Sequence, residues 1–223
     1  MMLTPVTPAR LPVLAAQFRA SIAGDPLAEA AFACILASTP PDLSAPADTA
    51  AHRAQAVALI ESFGIAVAHT DPAEGWSWDG RAIAVVSEAS VTIHELAHYQ
   101  VCAPGRRFLI DFGLGAGPES GRRAEADAQK ALDGLWGERE ESLASLLGIL
   151  WEAELGQPAL YAFLEQNWFE GAERAANGRH FRNICRLLHE IGCIDAAARP
   201  QYALRIAGEE WPGPFEGEAD LAA

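Results

Sequence analysis

Two histidines and a glutamate stand in a pattern that binds metal ions in many proteins. His94 and His98 are four residues apart, and Glu95 directly follows the first histidine. On a helix, residues four apart lie on the same face, so both imidazoles can reach one ion. Imidazole binds zinc and ferrous iron well, and a neighbouring carboxylate can take a proton from a metal-bound water. The pattern predicts a divalent metal site, with a hydrogen-bonded structural pair as the alternative.

The sequence around this pattern predicts a partly buried helix. Ser87 and Ser90 are available as N-caps at its start. The pattern is flanked by apolar side chains, namely Val91, Ile93, Leu96 and Ala97. Polar side chains on a buried helix need partners, because an unsatisfied buried polar group costs free energy. A metal ion would supply a shared partner for the two histidines.

The length and composition predict a cytoplasmic chain with no membrane partner. A chain of 223 residues is long enough for one sizeable core, and half of its residues are hydrophobic. No apolar run approaches the length that crosses a bilayer. Residues 1–19 contain three prolines and lack the basic start and apolar middle of a secretory signal. We therefore expect a cytoplasmic protein.

Charge and cysteine usage exclude further classes. The formal net charge of −14 argues against nucleic-acid binding, since phosphate recognition normally needs a basic surface. The cysteines show no paired framework and no Cys-x-x-Cys pattern, which predicts reduced, buried thiols. They are Cys34, Cys102, Cys185 and Cys193.

Hydrophobic periodicity predicts an α+β fold, mostly helical, with a small sheet beside the metal helix. Helices are expected over 9–38 with a break at 24–26, and over 50–63, 91–103, 123–132, 138–155, 158–167 and 180–191. Strands are expected over 65–68, 81–86 and 107–112, and a loose acidic tail over 209–223. One domain is expected over 1–223, with an N-terminal helical region (1–63), a metal-binding core (64–158) and a C-terminal helical section (159–207).

Two histidines leave a metal site open, so a third protein ligand is needed. The spacing of the residues alone does not select it. The candidates downstream of the motif are Asp111, Glu119, Glu125, Asp127, Glu140, Glu141, His180 and His189.

The motif and the residues after it resemble the bacterial elongation factor P hydroxylase family. The resemblance covers Ile93 to Pro158 with an altered spacer between Pro118 and Glu141. It is carried by Ile93-His94-Glu95-x-x-His98 followed by an aromatic residue, by Ala103, Arg106-Arg107, Leu109, Asp111-Phe112-Gly113 and Pro118, and by the stretch from Glu141 to Gly156-x-Pro158. It implies a zincin-like or hydroxylase-like arrangement of the core.

The resemblance places Glu141 on the position of the family's third ligand, with Glu140 as the alternative. It implies a ferrous iron held by His94, His98 and Glu141, and a protein substrate, possibly elongation factor P, that is hydroxylated on a modified lysine. Zinc is the alternative metal.

Four further residues are candidates for supporting roles. Asp111 could accept a hydrogen bond from the outer nitrogen of a metal-bound histidine. Arg106 and Arg107 could contact substrate or form structural ion pairs, and Tyr99 could line the cavity or pack beneath it.

Three functions are compatible with these residues. The first is an iron- and oxygen-dependent hydroxylase of a protein lysine, with Glu95 managing protons. The second is a zinc metallopeptidase in which Glu95 is the general base that activates water. The third is a non-catalytic helical interaction protein whose metal site is structural. The resemblance favours the hydroxylase, and the motif by itself favours the peptidase.

Overall fold

The computed structural model describes residues 6–132 and 134–208. Most of this chain is helical, and two short strands form a parallel sheet, which confirms the mostly helical α+β prediction. The helices are α1 (Leu11–Ile22), α2 (Pro26–Ala37), α3 (Ala50–Ser62), α4 (Ala89–Val101), α5 (Arg123–Ala128), α6 (Gly134–Glu154), α7 (Leu160–Glu165) and α8 (Ala175–Glu190). The strands are β1 (Ala66–Ala68) and β2 (Ala82–Ala84), and 3-10 turns cover Pro72–Glu74, Pro104–Arg106 and Ile110–Gly113. The more specific zincin-like or hydroxylase-like description stays a prediction.

The described chain folds into two compact units. The first contains residues 6–47 and 149–201, and the second contains residues 48–132, 134–148 and 202–208. The single domain predicted from the sequence stays a prediction. The region boundary predicted at residue 63 lies inside the second unit, and the one predicted at residue 158 lies inside the first.

The first unit is built around an aromatic core. Helices α1 and α2 pack on α8, and α2 also contacts α7. The ring of Phe18 is central, and the rings around it belong to Phe32, Phe163, Phe169 and Phe181, with centroids 4.8 to 5.6 Å away. Tilted and edge-on contacts of this kind add to the hydrophobic stabilisation of a core.

The predicted break between the first two helices is confirmed. Asp25 caps α2 by accepting a hydrogen bond from the Ala28 amide at 3.0 Å, and Pro26 occupies the first helical position. Proline suits that position because its missing N–H would have no intrahelical partner there.

The second unit contains the sheet and the helix that carries the histidine motif. Strands β1 and β2 are parallel, with Val67 opposite Ile83, and β2 leads through residues 85–88 into α4. Helix α3 packs on α4 and on β1. A single antiparallel bridge joins Trp78 to Ile83 on β2.

The third strand predicted over 107–112 is wrong. That stretch forms a 3-10 turn in which Asp111 and Phe112 have φ angles of 43° and 55°. These values lie in the left-handed region, which a strand does not contain. The apolar residues of this stretch therefore belong to a turn, in which Ile110 and Phe112 are buried. The predicted helices at 123–132 and 158–167 are shorter than expected, and the one at 180–191 begins earlier, at Ala175.

No helix within residues 6–132 or 134–208 is long and apolar enough to cross a membrane. The predicted acidic tail over 209–223 lies outside the described residues.

Candidate metal centre

Helix α4 presents both histidines of the motif to one point. The rings of His94 and His98 have centroids 4.5 Å apart and lie nearly perpendicular, with their Nε2 atoms 3.0 Å apart. The predicted serine cap at the start of this helix is not formed. The carboxylate of Asp48 accepts a hydrogen bond from the Ala89 amide at 3.0 Å instead. A distant carboxylate therefore fixes the beginning of the helix.

Helix α6 brings Glu141 to the same point. One carboxylate oxygen of Glu141 lies 3.1 Å from the Nε2 atom of His94, and the other lies 3.2 Å from the Nε2 atom of His98. The His98 side chain is only 5 % exposed, whereas that of Glu141 is 58 % exposed. The cluster is thus closed behind His98 and open to solvent on the side of Glu141.

The donor set fits a divalent metal ion. Two imidazole nitrogens and a carboxylate are donors that both ferrous iron and zinc accept. With metal-to-donor bonds of about 2.1 Å, donors at right angles lie about 3.0 Å apart and donors at tetrahedral angles about 3.4 Å apart. The measured separations of 3.0 to 3.2 Å lie within this range. Three protein ligands leave further coordination positions open.

The charges of the cluster act on one another. Burial lowers the pKa of His98, but the carboxylates of Glu141, Glu95 and Glu140 together raise this pKa by more, to about 9. The partial burial of Glu141 raises the pKa of its carboxyl group, but the two histidines lower this pKa by more, to well below its usual range. The pKa of Glu95 is raised to about 8, chiefly by burial, with His98 opposing the rise and Asp111 adding to it. Protons and a divalent cation therefore compete for these groups.

Asp111 does not make the hydrogen bond predicted for it. The buried Nδ1 atoms of His94 and His98 have no hydrogen-bond partner in the described structure. The carboxylate of Asp111 accepts a hydrogen bond from the Ser120 hydroxyl at 2.6 Å and one from the Trp78 amide at 3.2 Å. Its oxygens are thus used to hold the turn at 110–113 in place.

This turn supplies an aromatic wall that sequence reasoning missed. The ring of Phe112 stacks on His98, with centroids 5.6 Å apart and an interplanar angle of 21°. On the other side Phe112 stacks on Trp78, with centroids 5.2 Å apart and an angle of 6°. The Phe112 ring, supported from behind by Trp78, therefore restricts the rotation of the His98 imidazole. The only signal in the sequence was the aromatic residue beside Asp111.

The structure separates the two neighbouring glutamates of α6. Glu141 joins the histidines, whereas Glu140 is fully buried and accepts a hydrogen bond from the Arg106 guanidinium at 2.5 Å. Of the two roles predicted for Arg106, this geometry supports the structural ion pair. The pairing joins residues far apart in sequence and has no sequence signature.

The two remaining supporting candidates pack together. The guanidinium of Arg107 donates to the backbone oxygens of Tyr99, Cys102 and Arg205, and lies 5.2 Å above the Tyr99 ring. Tyr99 in turn makes an edge contact with Trp78. Both residues brace the C-terminal part of α4.

Other candidates for the third ligand have partners elsewhere. Glu125 forms an ion pair with Arg122, Asp127 accepts a hydrogen bond from the Ala116 amide, and the Nδ1 atom of His189 lies 3.1 Å from the Ile194 oxygen. Among the described residues, His94, His98 and Glu141 form the group of side chains that could hold a metal ion.

Comparisons of this chain with protein-family models, with curated proteins and with solved structures found no match.

Proposed function

We propose that this protein is a metal-dependent enzyme whose centre is formed by His94, His98 and Glu141. The observation that carries the proposal is the convergence of three donor groups at 3.0 to 3.2 Å from one another. Two histidines and one carboxylate with open positions are the ligand set of non-haem iron oxygenases. We propose an iron- and oxygen-dependent hydroxylase that acts on a protein lysine, with elongation factor P as the candidate substrate.

Each residue of the centre has a distinct task in this proposal. The imidazoles and the carboxylate would hold ferrous iron, and the iron would supply the activation of oxygen. The stacked ring of Phe112 keeps the His98 imidazole in one orientation and covers one of its faces. Glu95, next to the first histidine, can hold or release a proton beside the substrate.

A zinc metallopeptidase is the second candidate, favoured by the carboxyl group of Glu95 next to His94. The Glu95 carboxyl group interacts electrostatically with both His98 and Glu141. In such an enzyme zinc would polarise a water molecule, and Glu95 would take its proton. One feature favours the hydroxylase over this alternative. A peptidase commonly holds an extended peptide along a strand edge, but β2 is paired with β1 on one side and bridged by residues 77–79 on the other.

Metal analysis tests the proposed centre. The parent protein and the variants His94→Ala and Glu141→Ala would be purified without chelators and analysed for iron and zinc. We expect about one metal ion per chain in the parent and loss of the ion in both variants. Glu138→Ala, which removes an exposed glutamate from the same helix, is the matched control and should keep the metal. A folded parent without metal after anaerobic addition of ferrous iron would contradict the proposed centre.

The reaction is tested separately from the metal. The iron-loaded protein, oxygen, a reductant and purified elongation factor P would be incubated together, and the substrate mass measured. We expect a gain of one oxygen atom that the His94→Ala variant does not produce. If zinc is found and peptides are cleaved by the parent but not by Glu95→Gln, the peptidase is the correct alternative.

A further inference from the structure

One buried ion pair lies directly behind the candidate metal centre. The Arg106 and Glu140 side chains are 4 % and 0 % exposed, and an Nη2 atom of the guanidinium lies 2.5 Å from an Oε2 atom of the carboxylate. Glu140 precedes the candidate ligand Glu141 on α6. The pair therefore anchors α6 at the residue next to the ligand.

The same guanidinium also holds the other side of the centre. The Nη1 atom of Arg106 donates a hydrogen bond to the backbone oxygen of Phe112 at 2.7 Å. The ring of Phe112 stacks on His98, the buried ligand candidate. A single side chain thus connects the turn behind His98 with the helix that carries Glu141.

The C-terminal segment of the second unit supports this arrangement. Its Arg205 guanidinium lies 3.7 Å from the same oxygen of Glu140. The backbone amide of Arg205 donates to the Gln100 oxygen, and the Gln100 amide group donates to the Ala203 oxygen. Glu140 is therefore held between two arginines, and one of them, Arg205, is hydrogen-bonded to the C-terminal part of α4.

Anchoring Glu140 fixes the rotation of α6 about its own axis. With side chains, a helix has a radius of about 5 to 6 Å, so a rotation of about 20° would move the tip of Glu141 by about 2 Å. Ligand positions in working sites are held to within about 0.5 Å. Glu141 is itself 58 % exposed and has little packing of its own to hold it.

Stability does not explain why such a pair is buried. The desolvation of two buried charges often exceeds their attraction, and apolar replacements of similar volume are often neutral or stabilising. We infer that Arg106 and Glu140 are positioning residues, which align Glu141 with His98 so that both can bind one metal ion. This inference rests on the proposed metal binding and deepens it.

The test compares metal binding with folding. Arg106→Met and Glu140→Leu would be combined in one protein, so that neither charge of this pair remains buried alone. Arg205 keeps its hydrogen bonds to the backbone oxygens of Val101 and Gly208 in this variant. Arg122→Met combined with Glu125→Leu is the matched control, because it removes an exposed ion pair of the same unit. Glu141→Ala is the reference for a lost ligand. Cobalt(II) is the probe, with its affinity measured by chelator competition and its coordination by visible absorption.

If the pair positions the ligand, the double variant folds with a melting temperature close to that of the metal-free parent, but its cobalt affinity falls about 10- to 100-fold. Its cobalt spectrum moves toward that of Glu141→Ala, and the control keeps the parent's affinity and spectrum. A folded double variant with the parent's affinity and spectrum would overturn the inference alone. A parent that binds no cobalt would overturn the proposed metal centre as well.

A conservative variant covers the case in which the double variant does not fold. Glu140→Asp keeps the charge of the pair but shortens the side chain by one methylene group. It should fold, bind cobalt several-fold more weakly than the parent and show an altered spectrum. The parent's affinity in this folded variant would count against the positioning role.

Discussion

Glu152 is a carboxyl group that the fold withdraws from water. It is 4 % exposed, and burial together with the charge of Glu165 raises its pKa well above the usual value. In the unfolded chain the same group ionises above about pH 4.5, as an ordinary glutamate does. Above about pH 4.5 the unfolded chain binds fewer protons than the folded chain. This residue therefore lowers the free energy of unfolding as the pH rises above that value.

We therefore predict that Glu152→Gln stabilises the protein at pH 8 and leaves its stability unchanged near pH 4. One pKa unit corresponds to about 1.4 kcal/mol, and about 1 kcal/mol moves the melting temperature of a chain of this size by about 2 to 4 °C. Calorimetry at both pH values measures the effect. The exposed Glu170 provides the control variant Glu170→Gln. A gain that is equal at both pH values would refute the ionisation argument.

Asp111 combines an unfavourable backbone with favourable side-chain bonds. Its φ angle of 43° lies in the left-handed region, which asparagine and aspartate tolerate better than most residues. Its carboxylate accepts hydrogen bonds from the Trp78 amide and the Ser120 hydroxyl. Because hydrogen bonds to a charged group contribute about 1.5 to 3 kcal/mol each, loss of the two bonds in Asp111→Ala should destabilise the protein by about 3 to 6 kcal/mol. Asp111→Asn should cost less than half as much, as measured by urea unfolding; equal losses would argue against this account.

At the level of elements, Gly148 allows α6 to approach α4 closely. A Cβ atom added there would lie 3.3 Å from the Cα atom of His94 and 3.5 Å from its backbone nitrogen. Alanine usually stabilises a helix relative to glycine by about 0.5 to 1 kcal/mol. Here it would push apart the two helices that carry His94 and Glu141.

We predict that Gly148→Ala weakens metal binding several-fold with little loss of thermal stability. Gly137→Ala on the same helix is the control, because its added Cβ atom would meet the Leu132 oxygen at 3.9 Å, an ordinary contact. Chelator competition measures both affinities. If the two variants bind metal equally well, the close approach at His94 does not limit the centre.

The elements also show what the sequence could and could not predict. The spacing of His94 and His98 was sufficient to place both rings on one helical face, because helical periodicity is local. Glu141 was reached through the family resemblance, since no local rule connects residues 47 positions apart. The stretch 107–112 was mistaken for a strand because four of its six residues are apolar. The conformation of its turn depends on the long-range hydrogen bond between Asp111 and Trp78. The Arg106–Glu140 ion pair could not be predicted either, because it also joins residues far apart in the sequence.

At the scale of the whole molecule, all three candidate ligands lie in the second unit. A ligand that binds only the folded state stabilises it by about 2.7 kcal/mol at a concentration about 100 times its dissociation constant. We predict that metal slows amide hydrogen exchange within residues 48–132, 134–148 and 202–208. In residues 6–47 and 158–201 metal should slow amide hydrogen exchange less. Mass spectrometry of peptides with and without metal measures this, with His94→Ala as the control; equal protection of both sets would contradict the prediction.

The unequal exposure of the ligands determines the order in which a bound ion would be released. His98 lies under Phe112 and is almost fully buried, whereas Glu141 reaches the centre from the solvent side. A chelator approaches from the exposed side of the centre, so it binds the ion at the open coordination positions, then displaces Glu141, and last removes the ion from the histidines. Extraction would therefore pass through a ternary complex of protein, ion and chelator, and its rate would rise with chelator concentration and fall with chelator bulk.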